Sequence, residues 1–178
     1  MLIDLQNAIV ARQTVPYSAP DVVKRSARLA AAFRAKGATV VYVRVDMNNV
    51  LNLPADEPAR APNAPALPAS ASELVPEAGF QPGDVLITKR HWGAFAGTDL
   101  GQILRQRGVD TVVLGGISTN AGVESTARQG TGLGFAFVLV EDICATSMGE
   151  EAHRFAFAKI FPRLGRVRTT DDVIAALE

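Results

Sequence analysis

Two residues stand where a carboxylate and an ammonium could share a proton. Asp4 follows Leu2 and Ile3 directly, and Lys89 closes the run VLITK, so each ends a short apolar segment of strand character. A carboxyl group in that position is partly desolvated, which raises its pKa, while an ammonium nearby lowers it. The two residues read either as a structural ion pair or as a proton-transfer carboxyl tuned by its lysine, and spacing alone weighs these about equally. A third stretch, VLGGISTNAGVESTAR, leaves a strand through Gly115 and Gly116 and opens a helix whose free amide groups favour an anion or an oxyanion. Glycine inside a helix costs about 1 kcal/mol relative to alanine, so Gly122 serves either close packing or a site. Without GxGxxG spacing or a P-loop lysine, the stretch does not support nucleotide binding. Glu124 and Arg128, four residues apart, read as a surface helix pair.

Such residues need elements that bring strand ends together. Residues 1 to 47 read as strand, helix, strand, the helix opening at Ser18 with Asp21 three residues on and closing at Gly37. Val85 to Thr88, Thr111 to Gly115 and Phe135 to Val140 are apolar runs expected of strands covered on both faces. Leu100, Ile103 and Leu104 form a helical stripe with Thr98 as its cap and Gly108 as its stop. Ser147 and Glu150 have the spacing of a capping box opening a helix to about Ile160, and Thr170, Val173, Ile174 and Leu177 suggest a last helix. Strand, helix, strand in this order predicts an α/β domain with a mostly parallel sheet and right-handed crossovers. Ligands then bind outside the carboxyl ends of the strands, where Asp4, Arg44 to Asp46, Lys89, Gly115 to Asn120 and Glu141 to Thr146 fall.

The 178 residues are expected to form one domain over 1–178, interrupted by a Pro/Ala-rich excursion at 48–83 that holds seven of the ten prolines. Loops of that length act as lids, binding loops or subunit contacts, or are plain linkers. Charge is balanced, with 18 Lys plus Arg against 18 Asp plus Glu, so no basic field exists for nucleic acid or an anionic membrane. No apolar run approaches the ~20 residues of a membrane span. The single cysteine, Cys144, excludes an internal disulfide, and with no export leader read at Met1 a cytoplasmic setting is expected. Because strand sequence begins at once, a few native residues are expected before Met1.

LIDLQN, KRHWGAFAGTDL, VLGGISTNAGVESTAR and VEDICATS, in that order, resemble successive motifs of the isochorismatase-like hydrolase superfamily over nearly the whole chain. The resemblance implies a three-layer α/β/α sandwich, Rossmann-like, with a mostly parallel central sheet of about six strands, in homodimers or larger homo-oligomers. Most members are amidases with an Asp, Lys and Cys triad. Asp4 and Lys89 match the first two, but TNxC reads TNAG here, so Gly122 occupies the position of the nucleophilic cysteine. Cys144 belongs to the later DICATS motif. Isochorismatase itself lacks the thiol: its Asp protonates the vinyl carbon of an enol ether, and water captures the oxocarbenium ion. On that precedent Asp4 is the general acid, Lys89 orients it and binds substrate anion, and Gly122 leaves room for substrate or water. A cis peptide is implied at Ile117–Ser118.

Candidate substrate-binding residues are Gln6 of the first motif, Ser118 and Thr119 on the turn, and Trp92 and Phe95 as walls for an aromatic or cyclic substrate. Arg44 and Arg90 are candidates for a substrate carboxylate. His91 and His153 are too few and too badly spaced for a metal site, and VRVDMNN has Asp46 without the histidine common in nicotinamidases, so no metal and no cofactor are expected. Three functions stay open: a thiol-free small-molecule hydrolase, an inactive paralogue that binds a ligand or serves an assembly, and an amidase whose water is activated by Asp4.

Overall fold

A computed structural model describes residues 1–61 and 63–177. Its centre is a six-stranded, all-parallel sheet of β1 (Leu2–Ile3), β2 (Val41–Val45), β3 (Val85–Lys89), β4 (Thr111–Ile117), β5 (Ala136–Ala145) and β6 (Arg166–Arg168). The order is β3-β2-β1-β4-β5-β6, so the chain winds outward in one direction and then in the other. Successive side chains of each strand face opposite layers, as the period of two requires. Ile3, Val41, Val43, Leu114 and Leu139 join one core with α3 (Leu100–Gln106), α4 (Glu124–Gly132) and α6 (Phe161–Leu164). Leu2, Tyr42 and Val140 join the other with α2 (Ala19–Ala35) and α7 (Thr170–Ala175). Two short helices, α1 (Asn7–Val10) and α5 (Glu150–Phe155), lie beside the carboxyl edge.

Helix punctuation largely follows the side-chain chemistry. Ser18 accepts the Asp21 N–H at the start of α2, and Gly37 and Gly108 take left-handed φ values of 70° and 67° just after α2 and α3. Thr98 accepts the Leu100 N–H while donating to Ala94 O. Ser147 does not cap as expected: α5 starts at Glu150 behind Gly149, and its helical run continues through a wider turn, Ala156–Ile160, into α6. The reciprocal capping box belongs instead to Thr169 and Asp172 of α7. β6 had no apolar signal, because a three-residue edge strand with arginine at both ends follows the rule that edges are short and charged.

Two side chains tie the first half of the excursion together. Arg60 donates to Met47 O, Asn48 Oδ1, Ala64 O and Pro65 O, and Asn48 exchanges two bonds with the Leu67 backbone. Gly116 is required by its surroundings: at φ 135° a Cβ there would lie 2.2 Å from Ile3 O, where β1 and β4 pair and the β4–β5 register shifts. No helix among the described residues is long and apolar enough to cross a membrane.

Candidate active site

The sheet reverses its winding between β1 and β4, and in such sheets the crevice at the reversal is the place for a ligand. Asp4 leaves β1 at this point. Its φ of 55° is a left-handed value uncommon for a residue with a side chain, held by an N–H bond of 2.8 Å to Val43 O. Lys89 ends β3, two strand spacings or roughly 10 Å from β1. Only a long side chain bridges that gap. Its Nζ donates to Asp4 Oδ2 at 2.8 Å and to Trp92 O at 2.9 Å, so it fixes the carboxylate and the following loop together.

Both groups are nearly inaccessible, Asp4 at 6% and Lys89 at 2% exposure. Burial pushes the Asp4 carboxyl above the usual carboxylate range, against the opposing pull of Lys89 and of the more distant Arg12. Asp4 Oδ1 is buried and has no hydrogen-bond partner, which leaves one oxygen available to a substrate proton.

The third wall is the turn after β4. The Ile117–Ser118 peptide is cis, and Thr119–Val123 form a wide helical turn that runs into α4. α5 clamps this turn from behind: Thr119 Oγ1 and His153 Nδ1 are hydrogen-bonded at 2.8 Å, and Asn120 Nδ2 donates to Ala152 O at 2.8 Å. Desolvation lowers the His153 pKa to about 4, so the imidazole is neutral near pH 7. From the other side the Ala94 N–H donates to Thr126 Oγ1, which donates to Gly122 O, linking the loop after Lys89 to the same turn.

Gly122 faces the ion pair. A Cβ built there would sit 2.7 Å from Ile3 Cγ2, 3.1 Å from Asp4 Oδ2 and 3.5 Å from Lys89 Nζ. The glycine therefore serves close packing against β1, and its bare face also keeps the carboxylate open. These groups line a cavity of about 380 Å³. Ile9, Val45, Met47, Ile117 and Met148 give it apolar walls, while Glu57, Pro58 and Ala59 of the excursion form its outer side. The excursion thus folds over the site of its own chain.

The isochorismatase domain family matches residues 1–172. The chain belongs to the isochorismatase family. The uncharacterized isochorismatase family protein YecD of Escherichia coli O157:H7 is 44% identical over 181 residues, spanning 99% of this chain and 94% of that protein. An isochorismatase family protein of Burkholderia thailandensis has a solved structure that matches with a TM-score of 0.91 and 45% identity, covering 99% of this chain and 93% of that one. Ureidoacrylate amidohydrolase RutB of Enterobacter sp. (strain 638) is 37% identical over 105 residues, 59% of this chain and 44% of that protein. The chain is an isochorismatase-family hydrolase with the family's three-layer fold.

Within this isochorismatase-family site the structure brings Asp4, Lys89, Gly122, Ser118 and Trp92 to one cavity. Five other candidates, Gln6, Arg44, Arg90, Phe95 and Thr119, lie outside its lining. Gln6 is fully buried and ties β2 to the excursion, accepting the Val45 N–H and donating to Val45 O and Ala71 O. Arg44 donates to Thr88 Oγ1, Phe95 stacks on Phe135, and Thr119 is occupied by His153. Arg90 donates to Asn49 O. Asp46 accepts three bonds from Asn48 and Asn49, which hold its carboxyl below the usual range. Among the described residues no three His, Cys, Asp or Glu side chains cluster as metal ligands would. Cys144 is buried in the core, its thiol pushed up to about 12 by desolvation, which makes it a poor nucleophile.

Arg12, Met148 and the 57–59 segment escaped the sequence reading. Arg12 follows α1 by two residues, and no periodicity marks which way a residue just past a four-residue helix points.

Proposed function

We propose that this isochorismatase-family hydrolase works without a covalent thiol intermediate, with Asp4 as its general acid and base and Lys89 as the partner that orients and recharges it. One observation carries this reading: a buried carboxyl, bonded to Lys89 on one oxygen and unpartnered on the other, faces the cavity beside a glycine at the position of the family thiol. For an enol ether, protonated Asp4 gives its proton to the vinyl carbon, and the ether oxygen shares the resulting positive charge. Water adds to the oxocarbenium carbon and returns a proton to Asp4. Collapse of the hemiketal then releases an alcohol and a ketone. Burial favours the protonated form of Asp4, and Lys89 stabilises the carboxylate that the first step leaves.

A second reading, amide hydrolysis with Asp4 activating water, draws support from the partial match to ureidoacrylate amidohydrolase. The expected setting is the cytoplasm, as a homodimer or larger homo-oligomer. The half-exposed Trp92 and Met148 at the cavity mouth support a subunit contact there.

The test is turnover of isochorismate beside a panel of amides and carbamoyl compounds, with Asp4→Asn as control. The expected result is release of alcohol and ketone that falls at least a thousandfold in the variant while folding is retained. Ammonia release would select the second reading. Undiminished turnover by Asp4→Asn would overturn both.

A further inference from the structure

The cavity contains one cation whose charge the protein leaves unused. Of the fourteen arginines, only Arg12, Arg107 and Arg166 lack a side-chain hydrogen bond among the described residues. Of these three, only Arg12 lines the cavity that holds Asp4 and Lys89. It is exposed, and no carboxylate of the described residues lies within ion-pairing distance of it. Lys89, by contrast, is committed to Asp4 and Trp92 O.

We infer that Arg12 is the binding residue for a substrate carboxylate, and that the site therefore takes small carboxylic acids whose apolar part lies between Trp92, Met148 and Ile117. A guanidinium presents paired donors in a plane that matches a carboxylate, which gives orientation as well as attraction. Charge bookkeeping inside the cavity points the same way. With Asp4 protonated, Lys89 and Arg12 outweigh the lid carboxylate Glu57 by one positive charge, and a substrate carboxylate restores neutrality. The same anion would cancel the field by which Arg12 favours ionised Asp4, so binding of substrate holds the acid in its protonated form. The cationic intermediate then develops in a site that is not already positive.

This inference rests on the proposed hydrolase reading for its chemistry, but its test does not use turnover. Benzoate, cyclohex-1-ene carboxylate and isobutyrate are each compared with the methyl ketone of the same shape by calorimetric titration. The proteins are the unaltered chain, Arg12→Gln, Arg12→Lys and Arg107→Gln. At least one acid is expected to bind the unaltered chain tenfold or more tighter than its ketone. Arg12→Gln removes that preference, Arg12→Lys keeps part of it, and Arg107→Gln, outside the cavity lining, leaves it in place. The inference is overturned if no acid binds better than its ketone, including the case where neither binds, or if Arg12→Gln keeps the preference. Turnover surviving Asp4→Asn overturns the catalytic reading alone, so the two failures are separable.

Discussion

The floor and the roof of the cavity are held by different kinds of structure. On the floor, Asp4, Lys89 and the Ser118–Gly122 turn each end or follow a strand, and their positions are set by parallel ladders and two apolar cores. The roof is a Pro/Ala-rich loop whose described residues near the site are mostly exposed and are tied by Arg60 and Asn48. Removing one floor contact leaves a buried polar group without a partner, which costs its full desolvation. Removing one roof contact returns its partners to water. The floor should therefore govern chemistry and the roof access.

After Asp4→Asn, the largest effect should come from Lys89→Met. It deletes the charge that opposes desolvation of Asp4, so the Asp4 carboxyl should titrate higher and kcat/KM should fall by about 10²–10³. Carbon NMR of the Asp4 carboxyl and the pH profile of kcat/KM check the two parts. An unshifted carboxyl would reduce the pair to packing. Gly116→Ala tests the floor's backbone: the added Cβ meets Ile3 O at 2.2 Å, in a conformation that side chains rarely take. A stability loss of about 3 kcal/mol or more in urea is expected. A loss below 1 kcal/mol would show that β1 yields easily there.

That contrast also explains what the sequence could disclose. The floor was legible because strand ends are written in apolar runs, and because Asp4 and Lys89 stop those runs with charges. Gly115 and Gly116 do not end β4 as expected: they pair with Leu2 and Ile3 inside a strand that runs on to Ile117, and the Ile3 contact gives the steric reason for Gly116. Local pattern failed where partners come from distant chain. Gln6 shares a motif with Asp4 yet turns to Val45 and Ala71, and Thr119 turns to His153 rather than to the cavity. The roof was unreadable, since prolines exclude a helix but do not say which surface the loop covers.

His153 sharpens the comparison at its hinge, the turn clamped by α5. Its folded pKa of about 4 lies below the ordinary 6.5. Between those values the unfolded chain binds a proton that the folded chain does not, so stability falls as pH drops from 6.5 towards 4. The loss should reach about 2–3 kcal/mol. Asp4 acts with the opposite sign, because its raised pKa means that the folded state holds a proton the unfolded state has released. Urea unfolding at pH 7, 5.5 and 4.5 in an Asp4→Asn background removes that opposing contribution, and the difference on replacing His153 reads the histidine. His153→Gln should flatten the slope there, and an unchanged slope would move the acid sensitivity elsewhere.

The smallest effect on stability should come from the roof. Arg60→Ala removes donors to Met47 O, Asn48 Oδ1, Ala64 O and Pro65 O, all groups that water can solvate once the loop loosens. Global stability should change by less than about 1 kcal/mol. Hydrogen exchange should nevertheless accelerate at Leu51, whose N–H bonds Arg90 O, and at Leu67, whose N–H bonds Asn48 Oδ1. With Glu57, Pro58 and Ala59 no longer held over the cavity, KM should rise several-fold while kcat changes little, because Asp4 and Lys89 remain where the sheet puts them. If kcat falls as far as kcat/KM instead, the roof takes part in the transition state, and the division between a catalytic floor and an access roof fails.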